Sequence, residues 1–119
     1  MRMEQETLER LINKMIKHIK PNGVSELIYE LRPTDDTGDE YYMRVTYVVP
    51  DDSEYLRSSN MRNSDFNRKS WNTEITKTIK DYFDVRVIIN DSSIQSESYY
   101  ERQKKYQDEQ TISTNYTNR

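Results

Sequence analysis

Between Glu4 and Lys20 the apolar residues are Leu8, Leu11, Ile12, Met15, Ile16 and Ile19. Steps of three and four residues put them on one stripe of an amphipathic helix. Lys14, Lys17 and Lys20 fill the other side, where late cations suit the negative end of the helix dipole, and Pro21-Asn22-Gly23 stops it. The period then changes to two. From Val24 to Arg32, Leu27, Tyr29 and Leu31 share one face, with Glu26, Ile28, Glu30 and Arg32 on the other. That is a strand with one wet face. A polar turn, Pro33 to Asp39, leads into a second alternating run, Glu40 to Val49. Met43, Val45, Tyr47 and Val49 are predicted to face the core, and Tyr42, Arg44 and Thr46 the solvent. Two such runs joined by a short polar connection predict a hairpin.

Asp51 to Ser64 reads as a loop, with room for one helical turn around Glu54–Arg57. A second helix is predicted to start at Ser64 or Asp65, either of which can cap it. Its apolar stripe is Trp71, Ile75, Ile79 and Tyr82. Phe83 to Asp91 predicts a third strand with Val85, Val87 and Ile89 on one face, closed by Asn90-Asp91-Ser92-Ser93. The order α-β-β-α-β predicts an α+β fold: a three-stranded sheet with both helices on one face, the last strand parallel to a hairpin strand. Residues 1–91 form this domain, and residues 92–119 a polar, Tyr-rich C-terminal arm, extended or helical. Within the arm, Ser96 to Gln110 fits a helix carrying Tyr99, Gln103 and Tyr106 on one face, while Thr111 to Arg119 is expected to be extended or mobile.

Composition sharpens this division. The chain has 119 residues, 33% hydrophobic and 33% charged, which is polar against the roughly 45–50% apolar content usual for globular chains. Beyond residue 90, the only Leu, Ile or Val are Ile94 and Ile112. The core therefore has to come from about ninety residues, near the small end for an independent domain. No run approaches the ~18–20 apolar residues of a membrane span, and the first residues lack the apolar stretch of a secretory signal. Alanine is absent, glycine and proline are scarce, and Asn, Ile, Lys and Tyr are abundant. This usage fits an AT-rich genome such as those of many bacteriophages, so the expected location is a virion or the host cytoplasm.

The chemistry is sparse. There is no cysteine, so thiol nucleophiles, disulfides and thiolate metal sites are excluded. His18 is the sole histidine and sits beside the apolar stripe of the first helix. Two glycines cannot build a phosphate cradle, and no nucleotide, hydrolase or zinc motif occurs. The acidic groups Asp35, Asp36, Asp39 and Glu40, and Asp51, Asp52 and Glu54, flank opposite ends of one strand, about 30 Å apart by strand rise. They cannot share a metal ion. The expectation is a non-enzyme without cofactor or metal.

Charge is segregated along the chain. Residues 34–56 hold seven acids and one base, and residues 57–80 six bases and two acids. Arg57, Arg62, Arg68, Lys69 and Lys77 form a candidate patch for nucleic acid or an acidic partner, since such residues with Asn and Ser make phosphate contacts. The net charge of -3 weighs against strong non-specific nucleic-acid binding. The α-β-β-α-β order resembles the core of type II KH-like domains and of the small ring-building domains of secretion and sporulation assemblies. KH domains clamp single strands with a GxxG loop; the corresponding Asn60–Ser64 stretch has no glycine.

In the arm, Tyr99, Tyr100, Tyr106 and Tyr116 stand in a segment without a core of its own. Tyrosine offers contact area and a hydroxyl at low entropic cost, which favours interfaces. The expected function is a structural subunit of a larger assembly, favoured as a phage virion or portal/head-tail component, docking by its arm on other protein subunits, copies of itself included. The alternative is a nucleic-acid-binding accessory protein using the basic 57–80 segment.

Overall fold

The computed structural model describes residues 3–35, 39–56 and 61–117, with the side chains at 61–65 and 108–117 outside that description. The elements are α1 (Gln5–Lys14), α2 (Ile16–Ile19), β1 (Glu26–Pro33), β2 (Glu40–Val49), a 3₁₀ turn (Glu54–Leu56), α3 (Met61–Phe83), β3 (Arg86–Ser96) and α4 (Glu97–Thr117). The sheet order is β1-β2-β3, with β1 antiparallel and β3 parallel to the central β2. This is the predicted α+β architecture.

The predicted first helix is interrupted at Met15, where ψ opens to 13° and the amide is shared between the Leu11 and Ile12 carbonyls, each at 3.1 Å. The stripe survives the interruption: Leu8, Ile12 and Ile19 are buried, with Met15 and Ile16 packed beside them. Gly23 closes this entry with φ 87°, a left-handed conformation that glycine adopts without a Cβ penalty. On β2, Tyr41, Met43, Val45, Tyr47 and Val49 all face the core. They meet Leu27 and Leu31 of β1, and Trp71, Ile75 and Ile79 of α3. Trp71 stacks edge-on against Tyr55 at 5.0 Å and tilts against Tyr47 at 5.1 Å between ring centroids, geometries that suit the ring quadrupoles. In the last turn of α3, Phe83 packs on the core, whereas Tyr82, predicted on the stripe, is 53% exposed.

The third strand departs most from expectation. Asn90-Asp91-Ser92-Ser93 does not close it; it continues to Ser96. The pairing of β3 with β2 slips between Met43↔Ile89 and Arg44↔Asp91, leaving Asn90 as a bulge. A one-residue slip exchanges the two faces of everything downstream. Asp91 therefore turns outward and bonds Arg44 at 3.2 Å, while Ser92 and Ile94 turn inward opposite Val45 and Tyr47. The sheet therefore runs on through residues 92–96, within what the sequence reads as arm. α3 also starts earlier than predicted, at Met61.

Candidate docking surface

The arm is a helix through Thr117, so residues 111–117 are helical where an extended or mobile segment was expected. At ~1.5 Å per residue it spans about 30 Å. Its root is held by polar contacts. Ser96 Oγ accepts the Tyr99 amide at 3.1 Å, an N-cap on the third helical amide. Asp51, in the turn after β2, accepts the Ser98 amide at 2.9 Å and also the Ser98 hydroxyl. Ser25, just before β1, donates to Glu97 Oε1 at 2.6 Å. Three separate points of the domain thus fix the first turn. Its hydrogen bonds from Ser98 and the nearby Arg102 hold the Asp51 carboxyl below the usual range.

Beyond this turn the helix leaves the domain. Residues 101–107 are all exposed. Tyr99 is 45% and Tyr106 62% exposed, and Tyr100 is half-buried at the root. Tyr99, Gln103 and Tyr106 share the predicted face, with Gln103 Nε2 donating to the Tyr99 hydroxyl at 2.8 Å. Together with Arg102 and Gln107 they border a shallow concavity of about 350 Å³. The Tyr116 side chain lies outside the described residues.

The basic run is divided by the fold. Arg57 and the Arg62 side chain lie outside the described residues. Arg68 reaches across to β3 and donates to the Ser92 carbonyl at 2.9 Å and hydroxyl at 3.3 Å. Lys69 and Lys77 are exposed on α3, about 12 Å apart along its axis. Arg68 belongs to a network that sequence reasoning missed: Asn72 donates to Ser92 Oγ at 3.0 Å and accepts the Tyr47 hydroxyl at 2.6 Å. Burial, then the Glu74 charge, push the Tyr47 phenol up, with Arg68 opposing. The bulge at Asn90 is what brings Ser92 under these residues. His18 is exposed on α2.

Among the described residues, no three His, Asp or Glu side chains are grouped to hold a metal ion. None of the described helices is long and apolar enough to cross a membrane. Compared with known proteins, the chain matches no family model, no curated protein and no solved structure.

Proposed function

We propose that the protein is a non-enzymatic subunit of a larger assembly, and that α4 is the element by which it docks on a neighbouring subunit. The observation that carries this reading is a helix rooted at three points yet exposed over residues 101–107, with Tyr99 and Tyr106 presented on one face. An isolated helix of this length is marginal in water, and tertiary or quaternary packing normally completes it. Tyrosines on a fixed helix are pre-organised anchors, which lowers the entropic cost of docking. The acidic segment 34–56 and basic segment 57–80 support register between copies, because opposite patches steer and orient association. A bacteriophage virion or head-tail component is the favoured setting, on the codon bias that the composition implies. The test is removal of residues 97–119. The truncated chain is expected to keep its domain, by near-UV circular dichroism, and to lose self-association by light scattering. Unchanged association would overturn the reading.

A further inference from the structure

The free edge of β1 forms one wall of a groove of about 540 Å³ whose other wall is α1. Gln5, Glu9 and Asn13, four residues apart, line it from the helix, and Leu27 to Leu31 line it from the strand. Among the described residues, no other strand pairs with this edge. Thr34 donates to the Glu40 carbonyl, and in an antiparallel ladder bonding residues alternate. Arg32, Glu30, Ile28 and Glu26 therefore bond inward to β2, and Leu27, Tyr29 and Leu31 direct their amides and carbonyls outward. Gln5 Nε2 confirms this by donating to the Leu31 carbonyl at 3.0 Å. A carbonyl has two lone pairs, so this contact leaves room for a second donor.

The groove's charged residues are both acids. Glu9 lies on the helix wall and Glu30 on the open face of the sheet. Tyr29 braces the two walls, its hydroxyl donating to the Glu9 carbonyl at 3.1 Å and lying 2.6 Å from Asn13 Oδ1. Burial, with the Glu9 charge adding to it, pushes this phenol up to about 12.

We propose that this groove receives an extended, basic segment of a partner protein as a fourth strand on the β1 edge. Main-chain bonds to Leu27, Tyr29 and Leu31 supply the attachment, as in other cases of strand addition. Glu9 and Glu30 flank opposite faces of the added strand, and successive strand side chains point to opposite faces. The segment therefore carries Lys or Arg at two positions an odd number of residues apart, and no proline at the bonding positions. This site is separate from the α4 surface and does not rest on it.

The test is selection from a random twelve-residue peptide library against the full-length chain, followed by amide exchange with a selected peptide. Basic, proline-poor peptides with odd spacing are expected, slowing exchange at Leu27, Tyr29 and Leu31 at least tenfold. Glu9→Gln and Glu30→Gln are each expected to weaken binding several-fold at low salt, and alternate N-methylation of the peptide to abolish it. Tyr99→Ala with Tyr106→Ala is expected to leave it unchanged, which separates this site from the arm. No enrichment, enrichment without basic residues, or protection elsewhere would overturn the proposal. So would protection of the same three amides without peptide, which would assign the edge to a second copy.

Discussion

Asp84 ends α3 at φ 54°, in the left-handed region where non-glycine residues are uncommon. Its amide returns to the Lys80 carbonyl at 2.9 Å, and Lys80 Nζ meets its carboxylate at 2.8 Å. That hydrogen bond and charge hold the Asp84 carboxyl below the usual range. A β-branched side chain fits this conformation poorly. Asp84→Val is expected to lower the thermal midpoint by roughly 4–8 °C, the equivalent of a small destabilisation in a domain this size. Asp84→Gly is expected to be tolerated; equal losses in both variants would show that the ion pair, not the backbone, matters. At Tyr47 the hydroxyl meets Asn72 at 2.6 Å, and Tyr47→Phe is expected to cost about 1 kcal/mol by chemical denaturation. An unchanged midpoint would mean that the network adds nothing net. Tyr47 was legible as core from alternation alone, but its partner was not. Asn72 lies 25 residues away on another element, and no local pattern encodes that meeting.

At the scale of elements, periodicity found what is repetitive. The β2 limits, Glu40 to Val49, follow from alternation ended by Pro50, and the α3 stripe follows from Trp71, Ile75 and Ile79. The bulge at Asn90 was hidden because Asn-Asp-Ser-Ser has the composition of a turn. Within the sheet those polar residues are divided between the Arg44 side and the Asn72 side. Removing Asn90 should leave all downstream faces intact, since Asp91↔Arg44 pairing then follows Ile89↔Met43 without a break. Removing Ser93 should turn the partly buried Ile94 out and Gln95 in, costing about 1 kcal/mol from the isoleucine alone. Urea denaturation of the two deletions compares them, and the reverse ranking would contradict the register. The α4 root has its own pH dependence. Asp51 is lowered in the folded chain, so its contribution is complete above the unfolded value, about 4, and is lost as pH falls through the folded value. Amide protection at Ser98 and Tyr99, relative to the intrinsic exchange rate, should fall in that acid window, and Asp51→Ala should show the same loss of protection at neutral pH. Protection unchanged by both would mean that the Ser96 and Ser25 contacts hold the turn without Asp51.

The whole molecule joins a polar-walled sheet domain to a projecting helix. Leu, Ile and Val thin out after residue 90, and this made the arm visible in the sequence. The three contacts that aim it were not visible. Ser25–Glu97 and Asp51–Ser98 join residues 72 and 47 positions apart, and Ser, Asp and Glu are common in any loop. The basic segment is divided in a way that composition does not show either: Arg68 donates to the Ser92 carbonyl, while Lys69 and Lys77 are exposed. Docking of the arm on another copy is measured by light scattering across a concentration series. Full-length protein, the form lacking residues 97–119, and the Tyr99→Ala/Tyr106→Ala variant would be measured side by side. A defined, concentration-dependent oligomer is expected for the full chain and monomers for the other two. One mass shared by all three would contradict it.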